Sequence, residues 1–465
     1  MTSEKLSRNG DSQDAATAAE TFPKPAFFIV GNEACERFSY YGMRGILTVY
    51  TSSVLYSALS QNEANRRAII IGHIFTMGVY FMPLLGAWIA DKFWGRFWTI
   101  LVMSIVYCAG NATLAATVGS ELGLVVGLSL ITIGSGGIKP CVSAFMGDQF
   151  SERQKHLLPK AFGMFYWAIN FGSFFSFLIV PLLKTDGDVE SYRWAFGVPG
   201  IAMGVATLIF ALGAKLYKNV PPERVARKAI AEEKSASACA APMSFREKFH
   251  AIKGILMIFA IGTVFWALFD QMSTTWVTLS EKMVPWTPIS ALGYVIDKET
   301  VQAVNPIFVM LLVPIFTFAL YPMLNKTRLF RATPLRRMAV GMVLAAGAFA
   351  ICGALQARVS AGAEVSILWM CLPYAVLTAG EVLFSATGLE FAFSQAPATM
   401  KSTITSFWNL SVVIGNALVV AVAWFGSAFT PAQQFFFFAI LMLTVAVVFG
   451  FAATRYKYRN DATEA

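Results

Sequence analysis

Apolar stretches of about 20 residues or more recur along the whole chain and are separated by short polar segments. A helix of that length crosses the hydrocarbon core of a bilayer. Strand-like alternation of apolar and polar positions is absent, so the pattern predicts an all-α membrane protein. The stretches predict twelve transmembrane helices, at residues 26–55, 66–90, 96–118, 122–146, 161–184, 193–217, 250–281, 300–325, 335–357, 365–395, 398–426 and 432–454.

Basic residues are distributed unevenly between the two sides of these helices. The side that carries both chain termini holds 26 of the 36 Lys and Arg residues, and the other side holds seven. Basic loops stay in the cytoplasm during membrane insertion. The pattern therefore predicts a multi-pass protein with both termini in the cytoplasm, and an even number of helices agrees with this.

The longest segment between helices divides them six and six. Residues 218–248 are polar and basic, and Ser244 to Glu247 has the sequence of a helix capping box. Polar residues inside the membrane repeat at similar offsets across this segment, as Glu33 and Asp270 do, which indicates two parallel repeats that rock about a central site. The predicted organisation is a disordered N-tail, a six-helix bundle, a linker, a second six-helix bundle and a C-tail, at residues 1–22, 23–217, 218–248, 249–455 and 456–465.

Composition excludes several classes of protein. Only 14% of the residues are charged, whereas soluble proteins carry about 25%. The net charge of +9 comes largely from loops between membrane spans, so it does not indicate a nucleic-acid partner. The six cysteines form no CxxC pair, and neither HExxH nor a Ser/His/Asp arrangement is present. The sequence therefore predicts no metal site, no cofactor and no enzyme.

One face of the first helix carries charged and phenolic side chains. At about 100° per residue, Glu33, Glu36, Arg37, Tyr40 and Arg44 fall within an arc of about 100°. Each charge at the centre of a membrane helix costs about 2.5–3.5 kcal/mol. We therefore expect these side chains to pair with other helices or to face a wet cavity, and to be functional.

A lysine lies well inside the fourth helix. Lys139 follows a glycine-rich run that begins at Gly134. Its long side chain could extend to the nearer membrane surface. The glycines allow neighbouring helices to approach closely, which favours instead a buried pair between Lys139 and Glu33 or Glu36.

Two further polar pairs have both a functional and a structural interpretation. His73 and Tyr80 share a face of the second helix; the imidazole is suited to take up a proton near neutral pH, or it is a core histidine bonded to a neighbouring backbone. Asp91 and Arg96 follow this helix beside a glycine, where they could clamp neighbouring helix ends or form an ordinary basic turn.

The deep charges suggest a zwitterionic ligand. Most buried cations lie in the first half of the chain, whereas Glu381 lies in the second half. A ligand carboxylate would bind Arg44 or Lys139 while its ammonium group binds Glu381. Asn170 and Asn305 add polar groups or act as contacts between helices. The predicted aromatic walls of this site are Tyr40, Tyr41, Tyr80, Trp266 and Trp408, although Trp408 alone is also typical of packing.

Three long motifs occur in order along the chain. They read Glu33-Asn-Ala-Glu36-Arg37-Phe-Ser-Tyr40-Tyr41-Gly42, Phe165-Tyr-Trp-Ala-Ile-Asn170-Phe-Gly-Ser173 and Gly380-Glu381-Val-Leu-Phe-Ser-Ala-Thr-Gly388-Leu389. With them the chain resembles the proton-coupled oligopeptide transporters (POT/PTR), a branch of the major facilitator superfamily, over about residues 24 to 455. The resemblance indicates a bacterial-type member and implies twelve transmembrane helices in two six-helix bundles.

The resemblance also implies a function. It implies a symporter, working as a monomer in the plasma (bacterial inner) membrane, that imports di- and tripeptides with protons by alternating access. The implied proton-coupling residues are Glu33, Glu36, Arg37, His73, Lys139 and Asp270. The implied substrate-binding residues are Tyr40, Tyr41, Arg44, Tyr80, Lys139, Asn170, Trp266, Asn305, Glu381 and Trp408. The predicted gating residues are Arg44 and Asp270, with the clamp residues Asp91 and Arg96.

The chain departs from many bacterial relatives in two ways. It has no extra pair of helices between the halves. It has Asp270, as animal members have Asp, at a position where many bacterial members have Glu. The shorter side chain changes the reach to Arg44. Two alternatives stay open: a carrier of the same fold for nitrate, an amino acid derivative or another small anion or zwitterion, and a membrane receptor that does not transport.

Overall fold

The computed structural model describes residues 21–185, 188–222, 245–289, 294–326, 333–395, 401–425 and 429–456, and these are mostly helical. Most of the predicted linker lies outside the described residues, and so does Ser244 of the capping box. The predicted tails also lie outside them, apart from residues 21, 22 and 456. In chain order the helices are α1 (Lys24–Val49), α2 (Gln61–Ile89), α3 (Gly95–Ala116), α4 (Glu121–Asp148), α5 (Leu158–Ile179), α6 (Tyr192–Leu212), α7 (Phe245–Phe269), α8 (Thr275–Ser280), α9 (Val304–Ile315), α10 (Tyr321–Lys326), α11 (Pro334–Ser360), α12 (Cys371–Glu381), α13 (Thr387–Gln395), α14 (Lys401–Phe425) and α15 (Pro431–Arg455).

Ten stretches of the described chain are long and apolar enough to cross a membrane. One of them, Gln61–Ala116, contains both α2 and α3, which meet at Gly95. Gly95 has φ +75°, a backbone conformation that favours glycine. The ten stretches therefore make eleven crossings. The helix α1, which carries several charges, adds a twelfth, so the described residues make the predicted number of crossings.

Among the described residues of the second half, three crossings are built from more than one helical piece. The seventh passes from α7 through the 3₁₀ turn Asp270–Ser273 into α8. The eighth joins α9 and α10 through the π-helical turn Phe316–Leu320. The tenth joins α12 and α13 through the turn Val382–Ala386, directly after Glu381. Such breaks in the helical hydrogen-bond ladder are common at functional sites, and two of them lie beside predicted site residues.

The sequence does not predict the β-hairpin between the seventh and eighth crossings. Its strands β1 (Trp286–Ile289) and β2 (Tyr294–Ile296) pair antiparallel, with an irregular register. Strands of four and three residues are too short to show an alternating pattern. The hairpin is thus a local addition to the predicted all-α fold.

Buried apolar side chains form two cores. The first core runs from Ala26 to Tyr217 and the second from Ile252 to Phe449, and each uses side chains of six crossings. The predicted domain boundaries themselves stay a prediction. The end of the molecule that carries Lys24 is called the terminal face below, and the end beyond the last residue of α1 is called the opposite face.

The glycines before Lys139 bring α4 close to its neighbours. A Cβ on Gly136 would collide with Met82 of α2, and a Cβ on Gly134 would lie 2.7 Å from the backbone oxygen of Met103 in α3. The predicted close approach of helices at this run is confirmed, and it holds Lys139 between α2 and α1.

Candidate functional site

A cavity of about 270 Å³ lies between the two cores. Polar and aromatic side chains from both cores form its wall, and a concave pocket with a few convergent charged groups is the usual form of a small-molecule site. Nine of the predicted site residues line it: Tyr41, Arg44, Tyr80, Asn170, Trp266, Asp270, Asn305, Glu381 and Trp408.

An ion pair joins the two cores at this cavity. Arg44 Nη2 of α1 lies 2.8 Å from Asp270 Oδ1, at the turn that follows α7, and the two side chains are 13% and 3% exposed. The other oxygen of Asp270 accepts a hydrogen bond of 2.7 Å from Asn416 Nδ2 of α14. The predicted pair of Arg44 and Asp270 is therefore present, while its role in gating stays a prediction.

His73 is connected to this pair through an amide. Its Nδ1 lies 2.6 Å from Asn416 Oδ1, and its Nε2 lies 2.9 Å from Thr274 Oγ1. Because Asn416 donates to Asp270 through its nitrogen, it presents its oxygen to Nδ1, which therefore donates. Asn416 and Thr274 are not among the residues predicted from the sequence. The signal that identified Asn170, a polar side chain in an apolar helix, also applies to Asn416.

Glu381 lies on the part of the cavity wall formed by the second core. Asn305 Nδ2 lies 3.5 Å from Glu381 Oε2 and donates to Thr378 Oγ1 at 3.0 Å. No basic side chain of the described residues forms an ion pair with Glu381. The site thus combines Arg44, which has an anionic partner, with Glu381, whose contact in the described structure is the neutral amide of Asn305.

Several wall residues were not predicted. Tyr166 lies four residues before Asn170 and Ser173 lies three after it, so both share its helix face and could have been found from the second motif. Gln302 and Tyr374 also line the cavity, but nothing in their local sequence distinguishes them from other polar residues near membrane helices.

Three charged side chains of α1 form a buried group within the first core. Arg37 Nε lies 2.9 Å from Glu33 Oε1 and 2.6 Å from Glu36 Oε2. The side chains of Arg37, Glu33 and Glu36 are 9%, 5% and 0% exposed. One buried cation offsets the charge of one carboxylate, so the group keeps a net charge of −1 while both glutamates are ionised.

The predicted ion pair of Lys139 with Glu33 or Glu36 is wrong for this structure. Lys139 Nζ lies 4.6 Å from the ring centroid of Tyr40 and 4.7 Å from that of Tyr80. The guanidinium of Arg37 on the same helix forms ion pairs with both carboxylates. The lysine instead faces two aromatic rings, whose faces attract cations. Tyr40 is 2% exposed and its ring packs against the lysine. It does not line the central cavity, although it was predicted to do so.

The two residues of the predicted clamp after the second crossing have different surroundings. Arg96 forms its ion pair with Asp148 at the end of α4, whereas Asp91 is exposed. Both Asp91 and Arg96 line a second cavity of about 540 Å³, which extends from Lys139 to the terminal face. Because Arg96 and Asp148 belong to the same core, the pair holds two neighbouring helix ends together, and a role in gating stays a prediction.

Known proteins resemble this chain in sequence. The sequence model of the POT family, PTR2, matches residues 97–239 and 223–436. The chain belongs to the POT family. Peptide transporter 3 of Caenorhabditis elegans is 38% identical over 375 residues, which are 73% of this chain and 52% of the worm protein. Solute carrier family 15 member 2 of Rattus norvegicus is 36% identical over 379 residues, 73% of this chain and 50% of the rat protein. This POT family chain thus spans about half the length of these two relatives.

Solved structures of POT family transporters share the fold. An auto-inhibited POT family peptide transporter superposes with a TM-score of 0.82 and 37% identity, covering 95% of this chain and 99% of that one. The POT family transporter PepTSo gives a TM-score of 0.81 and 37% identity, covering 93% and 98%. The predicted all-α membrane protein with the major facilitator fold is confirmed, and proteins of this family are transporters rather than enzymes.

Proposed function

We propose that this POT family member is a symporter that imports di- and tripeptides together with protons by alternating access. The observation that carries the proposal is the Arg44–Asp270 ion pair, which joins the two cores beside a cavity that also exposes Glu381. A proton on Asp270 would remove its attraction for Arg44, and a peptide carboxylate could then take its place.

The cavity supports a small zwitterionic substrate. In this proposal the peptide carboxylate binds Arg44, and the amino terminus binds Glu381 between Asn170 and Asn305. The volume of about 270 Å³ is near the lower end of ligand pockets, about 300–1,000 Å³, which agrees with a short peptide. The side chains of the peptide would contact the aromatic wall formed by Tyr41, Tyr80, Trp266 and Trp408.

A chain of hydrogen bonds supports proton coupling. His73, Asn416 and Asp270 are linked by contacts of 2.6 and 2.7 Å, so a proton that reaches His73 or Asp270 changes the charge that faces Arg44. The group of Glu33, Glu36 and Arg37 lies nearer the terminal face. We infer that the proton leaves through that group, with Lys139 as its neighbour.

The distribution of contacts supports an inward-facing state in the plasma membrane. The basic loops favour a cytoplasmic terminal face. Several polar contacts of the described residues join the cores toward the opposite face, where Thr48 Oγ1 donates to the backbone oxygen of Ser273 at 2.6 Å. The larger cavity extends from Lys139 to the terminal face. A site closed on the outside and open to the cytoplasm would release peptide inward.

We infer a bacterial-type architecture that lacks the long insertions of an animal relative, and a functional monomer. The alignment with peptide transporter family 1 of Drosophila melanogaster spans 668 positions, more than the 465 residues of this chain, so the fly protein contains long insertions. The auto-inhibited POT family transporter is instead matched over 99% of its length. Both walls of the central cavity come from one chain, so the pathway needs no second subunit.

Proton uptake into proteoliposomes tests the proposal. Dialanine or trialanine added outside vesicles that contain a pH-sensitive dye is expected to acidify the lumen only when the protein is present. Nitrate and an amino acid derivative at the same concentration are expected to cause no acidification. Acidification by nitrate and not by peptides would replace the proposal with an anion carrier, and peptide binding without acidification would support a receptor.

A further inference from the structure

A buried ion pair near the opposite face lies outside the central cavity and its site residues. Lys184 Nζ lies 2.9 Å from Glu299 Oε2, and the two side chains are 3% and 0% exposed. Lys184 directly follows the turn Val180–Leu183 that ends the fifth crossing, and Glu299 directly precedes the turn Thr300–Ala303 that begins the eighth. The pair therefore joins the first core to the second.

The surroundings hold both charges in defined positions. Asp297 Oδ1 accepts hydrogen bonds of 3.1 Å from the backbone nitrogens of Glu299 and Thr300, which fixes the start of the turn. On the other side, Lys184 Nζ lies 5.9 Å from the ring centroid of Tyr192 at the start of α6. The contact is thus built into the ends of two crossings and is not a loose pair on the surface.

A buried ion pair between two cores has two stable states. Burial removes most of the hydration of both charges, and their mutual attraction offsets this loss only while both are present. If the cores separated at the opposite face, Lys184 and Glu299 would be hydrated at the same moment. The pair is therefore either closed and dry or open and hydrated.

The turn Thr300–Ala303, which directly follows Glu299, also reaches the central cavity. Gln302 Nε2 donates to the backbone oxygen of Gly45 in α1 at 3.0 Å, and Gln302 lines the cavity. A movement of this turn therefore changes the cavity wall and the ion pair together. The Arg44–Asp270 pair lies on the first and seventh crossings, so the two pairs use different helices.

We propose that Lys184 and Glu299 form a second gate, which closes the opposite face between the fifth and eighth crossings while Arg44 and Asp270 close it between the first and seventh. The transport role of this gate rests on the proposed function, but its closing contact does not depend on which molecule is carried. Removing either partner leaves one charge buried alone, which favours the open arrangement.

The distance between two spin labels tests the gate. The labels replace Asp188 and Ala361, which are exposed near the opposite face, one in each half of the chain. The native cysteines are replaced, and an unchanged Tm and a monodisperse elution profile show that this background is intact. Glu299→Gln and Lys184→Met are each expected to raise the fraction of molecules with a long label distance at least fivefold.

Two matched variants separate charge from packing. The double variant Lys184→Met with Glu299→Leu leaves no buried charge, so it is expected to return the distance distribution to that of the wild type. Lys282→Met changes an exposed lysine near the same face and is expected to have no effect. If a single variant does not fold, Lys184→Arg, which keeps the charge, is expected to keep the closed distance.

The outcomes distinguish the gate from the proposed function. Unchanged distances in both single variants would overturn the second gate, and so would a double variant that stays open, because lost packing would then explain the opening. An open distance in Lys184→Arg would also count against it. Proton uptake by the wild type is measured separately, so its absence rejects peptide symport and leaves the gate in place.

Discussion

Replacing Asp270 by Asn is the most direct perturbation of the proposed coupling. The amide has nearly the shape of the carboxylate and can still bond to Asn416, but it carries no charge and takes up no proton. Arg44 then stays 13% exposed without its anionic partner. Removing one member of a buried pair costs about 3–5 kcal/mol, and the residual exposure of Arg44 favours the lower end of this range.

The size of the expected effect follows from these energies. A loss of about 3 kcal/mol changes the equilibrium between closed and open arrangements by about 150-fold. In the wild type, one proton moving down about 100 mV supplies about 2.3 kcal/mol, and one pH unit adds about 1.4 kcal/mol. Together these support peptide accumulation on the order of 500-fold. Without a proton on residue 270, the accumulation ratio is expected to fall to about 1.

Proteoliposomes with a defined membrane potential and pH difference provide the assay. Labelled dialanine is measured in two modes: counterflow against unlabelled peptide, and net uptake driven by protons. Asp270→Asn is expected to retain counterflow and to lose net accumulation. Asp188→Asn makes the same chemical change at an exposed aspartate and is the matched control. Accumulation of more than about tenfold in Asp270→Asn would refute the coupling role of this carboxylate.

Three further variants test other parts of the structure. Glu381→Gln is expected to weaken the binding of peptides with a free amino terminus by about 10- to 100-fold, since a hydrogen bond to a charged group contributes about 1.5–3 kcal/mol. Competition assays check this against N-acetylated peptides, whose binding should change little. Equal loss of binding for both kinds of peptide would contradict the assignment. Gly341→Ala would place a Cβ 2.6 Å from the backbone oxygen of Gly380, so it is expected to destabilise the fold by about 1–3 kcal/mol and lower Tm, whereas a Cβ at Gly347 on the same helix meets no described atom within 4 Å. Tyr80→Leu removes one ring from Lys139 and is expected to slow proton-driven uptake about tenfold more than Tyr80→Phe, which keeps the ring; equal rates would count against the cation–π contact.

Contacts within one helix were predictable, whereas several contacts between helices were not. The spacing of Glu33, Glu36 and Arg37 already places them on one face of α1, and the structure pairs them there. Lys139 illustrates the limit: its burial was predicted, but its carboxylate partner was not found. The rotation of α2 and α4 relative to α1 places Tyr40 and Tyr80 beside the ammonium group instead.

The sequence by itself determined the twelve membrane crossings and the polar face of α1, because these depend on helical period and on the high cost of charges in a bilayer. Only the tertiary structure decided which side chains meet, such as Asn416 between His73 and Asp270, or Lys184 against Glu299. These contacts join residues 115 or more positions apart in the chain, and each depends on helix packing to within about an ångström. Hydrophobic pattern fixes which face of a helix is inside but not its axial position or its rotation within that face, so the partners of the charged stripe could not be read from the chain alone.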